Sequence, residues 1–214
     1  MTKKREAQEA AALPLRERKK RATRQRISDV ATGLFVANGF DNVTVAQIAR
    51  AAEVSAMTVF NYFPRKEDLF LDRIPQAIEL LTGAVRRRGP GEPPLNALRH
   101  LALELLDQRH PLSAVGDGYP HFWRIVIASP ALRTRAREGV EELEEALALA
   151  LAETDPGCAD PAFAAALTVA AYRSVYVTTA RRLLAGEAAA MLADDHRARV
   201  CAAFDALEAA LRQG

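Results

Sequence analysis

Ile27, Val30, Ala31, Leu34 and Phe35 fall at the i, i+3, i+4, i+7, i+8 spacing that lines one face of a helix. This stripe predicts a first helix that starts at residue 15 or 23 and ends at residue 38. Asn38-Gly39-Phe40 closes it, since Gly39 can take the left-handed conformation without a steric clash and Phe40 can fold back on the last turn. Thr44 opens a second helix through a capping box with Gln47, and Ser55 caps a third. A fourth is expected over residues 66–88, with Glu67 and Asp68 at the positive end of its dipole. Its buried stripe is Phe70, Ile74, Ala77, Leu81 and Val85. Pro75 lies inside this span and should bend the helix by removing a backbone hydrogen bond.

The run Gly89-Pro90-Gly91-Glu92-Pro93-Pro94 is a clear break. Beyond it, helices are expected over residues 95–109, 121–128, 131–153, 162–185 and 194–212. No strand-like alternation and no internal repeat interrupts them. The fold class is all-α. Three parts are expected: a basic arm over residues 1–15, a helix-turn-helix domain over 16–65, and a helical domain over 66–214.

Composition agrees with close helix packing. Half of the 214 residues are hydrophobic (50%) and only 6% aromatic, so the core must be aliphatic and alanine-rich. The net charge of +2 says little, but its placement says more. Within the first 26 residues, Lys3, Lys4, Arg5, Arg16, Arg18, Lys19, Lys20, Arg21, Arg24 and Arg26 face only Glu6, Glu9 and Glu17. That run is either a source of nonspecific affinity for a polyanion or a solvated helix face. Cys158 and Cys201 have no metal-ligand spacing and read as free thiols of a reducing cytosol, with redox sensing as the alternative. No apolar run approaches the roughly 20 residues that span a bilayer, and the charged N-terminus does not read as a signal peptide. A cytoplasmic protein is expected.

Residues 44–66 carry the most specific signal. Two short helices joined by a tight turn, the second presenting small and polar groups, form a helix-turn-helix that can enter the DNA major groove. Ala49 is the small residue where the helices cross, and Ile48, Val54, Val59 and Phe63 anchor them to the first helix. The turn position that usually holds glycine is Glu53, which would cost about 1–2 kcal/mol in the left-handed region. This window, with Thr58, Phe60, Tyr62-Phe63 and Lys66-Glu67-Asp68-Leu69, resembles the TetR family of bacterial transcriptional regulators over residues 23–70. Further on, Ala128-Ser129-Pro130-Ala131-Leu132-Arg133 is similar to a helix junction of that family.

The resemblance implies double-stranded DNA as partner and a site at Thr44, Val45, Ser55, Ala56, Met57, Thr58, Phe60, Asn61, Tyr62 and Lys66. Thr44 and the amides opening the second helix, Val45 among them, would meet a phosphate. Ala56, Met57 and Asn61 would lie at base edges, and Thr58, Tyr62 and Lys66 at the backbone. Phe60 stands where the family usually has tyrosine, so one phosphate hydrogen bond should be missing. Base readout would then lean on Met57 and Phe60 against thymine methyls, with Asn61 reading adenine.

Residues 162–185 are apolar nearly all round, so both sides of that helix must be covered. Phe163, Leu167, Ala170, Ser174 and Val177 mark one face, and Val200, Phe204, Leu207 and Leu211 of the last helix follow coiled-coil spacing. Together they resemble the family's homodimer interface; a purely internal core is the alternative. The resemblance also implies a largely apolar cavity for a small-molecule effector. Its candidates are His100, Glu104, Tyr119, His121, Trp123, Tyr172, Arg173 and Tyr176, with Trp123 and Arg173 as anchors. Leu101 and His110 are further candidates.

The function so implied is a ligand-responsive repressor that binds a palindromic operator as a homodimer. Effector binding would swing the fourth helix, bent at Pro75, and move the DNA-binding heads out of register. Activation in place of repression, and DNA binding without sequence preference, are alternatives. An enzyme is the remote one: there is no phosphate loop, nucleophile elbow, or His/Cys metal cluster, so neither a metal nor a cofactor is expected.

Overall fold

A computed structural model describes residues 14–116 and 118–211. They divide into two compact units. One reaches Asp72 and takes in Ile125–Arg135; the other holds Arg73–Arg124 and the chain from Ala136 onward. The arm expected over residues 1–15 lies almost wholly outside the described residues.

All regular structure among the described residues is helical. In chain order the helices are α1 (Leu15–Asn38), α2 (Val45–Ala51), α3 (Ala56–Tyr62), α4 (Ile74–Arg86), α5 (Pro94–Asp107), α6 (Tyr119–Ala128), α7 (Pro130–Thr154), α8 (Pro161–Leu184) and α9 (Ala189–Leu211). Short 3-10 turns occupy Glu67–Leu69 and Pro111–Ser113. Among the described residues, no helix is long and apolar enough to cross a membrane.

The first unit is built on the α1 stripe. Ile27, Ala31 and Phe35 are fully buried, and the Ile27 and Phe35 side chains each contribute about 1.5–3 kcal/mol. Phe35, Phe40 and Phe70 form an aromatic triangle with centroids 4.8, 5.8 and 6.5 Å apart. Gly39 allows it: at φ 81° and ψ 148° it turns the chain where a Cβ would be strained, and its amide bonds the Phe35 carbonyl. Val126 and Leu132 are buried in the segment around the α6–α7 junction that this unit recruits. Polar contacts hold the segment there. Ser129 Oγ donates to Asp41 Oδ1 at 3.0 Å, and Arg135 Nε donates to Asp68 Oδ1 at 2.7 Å.

One sequence expectation is corrected here. Residues 66–88 do not form one helix bent at Pro75. A 3-10 turn at Glu67–Leu69 is followed by a break, and α4 starts at Ile74 with Pro75 in its first turn. Proline is favoured there because the missing N–H would have no helical partner anyway. Asp68 serves no helix dipole; its two oxygens take the Arg65 amide and the Arg135 guanidinium.

In the second unit, Val85 of α4, Leu98 and Ala102 of α5, Leu147 and Leu151 of α7, Ala165 of α8 and Val200, Phe204 and Leu207 of α9 share one core. Ile74 comes so close to α7 that a Cβ on Gly139 would stand 2.7 Å from its Cδ1. A smaller cluster joins Leu106, Val115, Leu183, Ala189 and Leu192, with Tyr119 packed against it. Ala189 and Leu192 explain why α9 begins before residue 194, the expected start: their burial extends the helix by a turn.

Candidate nucleic-acid interface

Thr44 and Gln47 cap α2 reciprocally: Thr44 Oγ1 accepts from the Gln47 amide at 3.3 Å, and Gln47 Oε1 accepts from the Thr44 amide at 2.7 Å. The turn after α2 is a Schellman motif. The Val54 amide bonds the Ala49 carbonyl at 3.0 Å, and the Glu53 amide bonds the Arg50 carbonyl at 3.2 Å. Glu53 sits at φ 53°, the left-handed conformation the sequence demanded of it. Ala49 is buried where α2 and α3 cross. Ser55 Oγ then accepts from the Thr58 amide at 3.0 Å, which fixes the start of α3.

The α3 helix is two-faced. Val59 is fully buried, whereas Ser55, Ala56, Met57, Phe60 and Asn61 are exposed, Met57 at 69% and Phe60 at 47%. Large apolar groups left this open in a well-packed unit serve no folding purpose, and they mark a surface for contact. Thr44 is exposed, while Val45, Thr58 and Tyr62 are half-buried along the same edge of the motif. Thr58 Oγ1 is engaged by Ser55 Oγ at 2.8 Å. Arg24, from the basic run, lies 4.6 Å over the Phe63 ring and donates to the Asp72 carbonyl.

Lys66 is placed differently from a freely outstretched cation. Its Nζ stands 4.3 Å above the Phe40 ring and 5.8 Å from that of Phe35. Burial lowers its pKa from the ordinary lysine value, against the pull of the Asp41 and Glu67 carboxylates. Sequence periodicity gives no sign of this packing, because the aromatic partners come from the end of α1 and the turn after it.

The other candidates separate into groups. Tyr119 and Trp123 of α6 and Tyr172 and Tyr176 of α8 come together, with Trp123 and Tyr176 centroids 5.8 Å apart and those of Tyr172 and Tyr176 6.4 Å apart. His110 caps the 3-10 turn at Pro111–Ser113 and contacts Gln76. His100 pairs instead with Glu92 at 3.2 Å, and Glu104 accepts from Gln108, along a shallow groove that Leu101 also lines. His121 and Arg173 are exposed, so Arg173 does not anchor the aromatic group.

On α8, Phe163 is 55% exposed and Ala170 and Ser174 are exposed, with Leu167 and Val177 half-buried beside them. Val200, Phe204 and Leu207 require a correction. They are buried in the chain's own core, and Leu211 packs against it, so they are not available to a second copy. The outward face of α9 carries Ala198, Ala202, Ala206 and Ala209. Cys158 and Cys201 are free thiols, and burial pushes the Cys158 thiol up, away from reactivity.

The model of bacterial regulatory proteins of the tetR family matches residues 27–72, the stretch from the α1 stripe through the turn after α3. The transcriptional regulator TcmR of Streptomyces glaucescens is 34% identical over 164 residues, covering 75% of this chain and 73% of the relative. The chain belongs to the TetR family. HbdR of an Aromatoleum species, also a transcriptional regulator, is 40% identical over 75 residues, 30% of this chain and 33% of its own. Among solved structures, NalD of Pseudomonas aeruginosa has a TM-score of 0.53 at 22% identity, covering 86% of this chain and 97% of that one. SmeT of Stenotrophomonas maltophilia gives 0.53 at 18% identity, covering 87% and 89%. These two share the fold. This TetR-family chain is thus a DNA-binding transcriptional regulator and not an enzyme.

Proposed function

We propose that this regulator is a repressor that binds a palindromic operator as a homodimer and leaves it when a small molecule binds. The observation that carries the reading is the exposed α3 face, where Met57, Phe60 and Asn61 stand clear of the packed Val59. Met57 and Phe60 suit thymine methyl groups, and Asn61 suits the N6/N7 edge of adenine. Ala56 lies with them at base edges, while Thr44, Val45, Ser55, Thr58, Tyr62 and Lys66 surround that face and set its position on the duplex. Lys66 must leave the Phe40 ring to reach a phosphate. Its exchange of a ring for a phosphate makes it a weaker contributor than a free lysine would be.

For the dimer, the exposed side of α8 (Phe163, Leu167, Ala170, Ser174, Val177) and the alanine face of α9 supply one self-complementary surface. The alanines let two backbones approach closely. A domain boundary near residue 72 separates the DNA-binding part from the effector and dimer part. A protein that acts on the chromosome in this way works in the cytoplasm. Release by effector needs no bend at Pro75. The α6 helix carries Trp123, and its last residues, Ile125–Ala128, belong to the DNA-binding unit, so the effector's influence would travel along the chain at this junction. The size of the response is bounded by the effector's differential affinity for the two states.

Sedimentation with and without a palindromic duplex tests this reading. A dimer that stays intact on DNA is expected, and Ala170→Arg should produce a monomer with lost operator affinity. A monomeric wild-type chain, or a monomer that binds one palindrome as tightly as the dimer, contradicts it.

A further inference from the structure

The aromatic group between α6 and α8 has features that a plain core would not keep. We propose that Tyr119, Trp123, Tyr172 and Tyr176 form the effector site, and that it takes an uncharged, planar aromatic molecule bearing acceptor oxygens. The proposal rests on the ligand-responsive reading above and specifies its chemistry.

Two donors are left over. Trp123 Nε1 is buried without a hydrogen-bond partner, and an indole N–H can only donate. Tyr119 Oη is buried and likewise unbonded; the Ala114 amide approaches its oxygen, so what remains unmet is the hydroxyl proton. Buried donors in folded proteins are nearly always paired, and two such orphans on one face of α6, four residues apart, ask for an acceptor from outside the chain. Tyr172, by contrast, already donates to the Leu112 carbonyl at 3.4 Å.

The rings set the shape. Trp123 meets Phe122 at 79° and Tyr176 at 71°, while Tyr172 and Tyr176 stand 51° apart. Such tilted rings present faces and edges that a flat aromatic guest can slide against or between. Along α8, Tyr172, Tyr176 and Thr179 follow one face, which runs about 10 Å from first to last. Thr179 is buried at its far end and bonds His196 Nδ1 at 2.8 Å, leaving His196 Nε2 as a third buried atom without a partner.

The charge follows from the surroundings. Arg173, one residue along from Tyr172, is exposed, and the cation–ring contacts of lysine and arginine among the described residues fall on other rings. Arg73 reaches Tyr119 only through its field, and burial still pushes that phenol up to about 12, with Tyr172 and Tyr176 raised further. A medium that keeps phenols protonated disfavours a carboxylate or phosphate guest as well.

Trp123 is the sole tryptophan of the chain, so its emission reports on the site directly. Titration with 1,8-dihydroxyanthraquinone should quench that emission to saturation. Tyr119→Phe keeps its ring and Trp123→Phe leaves a smaller aromatic one, and both delete the donor; each should weaken binding at least about tenfold, read by calorimetry. Lauric acid should neither quench nor compete. Quinone binding unchanged in both variants, or displaced by lauric acid, overturns the proposal. The assay also separates the two claims when selected operator DNA is included. Lauric acid that binds and releases the operator sinks the ligand class while ligand-responsive repression stands. Donor-dependent quinone binding that leaves operator affinity untouched supports the site and overturns the repressor-release reading.

Discussion

Arg135 Nε donates to Asp68 Oδ1 at 2.7 Å, with the side chains 10% and 20% exposed. This contact joins the first turns of α7 to the turn that follows α3. The pair is shielded enough to matter. Asp68→Asn should lower stability by about 1.5–3 kcal/mol, the usual cost of losing a charge-assisted bond. Chemical denaturation measures it. Operator affinity should fall with it, and a variant as stable as the parent would show the contact to be incidental.

Glu53 holds a left-handed conformation that glycine adopts freely. Glu53→Gly relieves about 1–2 kcal/mol of strain and costs part of that back as unfolded-state entropy. A net gain of about 0.5–1 kcal/mol is expected, or a rise of roughly 2–4 °C in melting temperature at the upper end. A lower melting temperature would mean that the Glu53 side chain makes up for its backbone.

The α3 face exposes one polar and two apolar side chains to the proposed readout. Asn61→Ala should relax preference at one base pair, at a cost of about 1–3 kcal/mol there. Replacing thymine by deoxyuridine in each half-site removes only the methyl groups. Affinity should drop for the parent chain and stay constant for a Met57→Ala, Phe60→Ala double variant. A parent chain indifferent to the methyls would assign Met57 and Phe60 elsewhere.

His196 is fully buried, and burial brings its pKa down from 6.5 to about 4, against Asp195, which raises it. Between those values the unfolded chain takes up a proton that the folded chain refuses. Stability is therefore complete above about pH 6.5 and declines as the pH falls toward 4. The loss over the whole window is roughly 3 kcal/mol from this group. His196→Gln should flatten the pH dependence of the melting temperature between pH 7 and 5, an interval that holds about half of that loss. An unchanged slope would place the titration on other groups.

Local signals in the chain were enough for α1, α2 and α3. The capping box at Thr44, the Ser55 cap, the left-handed Glu53 and the exposed Met57 and Phe60 all depend on neighbours within a few residues. Pro75 was ambiguous because the same residue fits a kink or a first turn. What decides between them is the turn at Glu67–Leu69, whose Asp68 is held by Arg135, 67 residues away in sequence. For the same reason nothing local assigns Ile125–Arg135 to the DNA-binding unit. Val200, Phe204 and Leu207 show the opposite weakness: a 3.5-residue repeat fits an internal seam as well as an interface between copies. Residue type singled out Tyr119, Trp123, Tyr172 and Tyr176 together with His100, Glu104, His121 and Arg173, and only packing separates the aromatic group from the rest.

Selection of bound duplexes from a random DNA pool tests the central claim most directly: two copies of α3 read two matching half-sites. The retained sequences should converge on an inverted repeat whose half-sites lie about one helical turn apart, bound at least about a thousandfold above random DNA. Retention of a single unrepeated site, or of no common sequence at all, would contradict it.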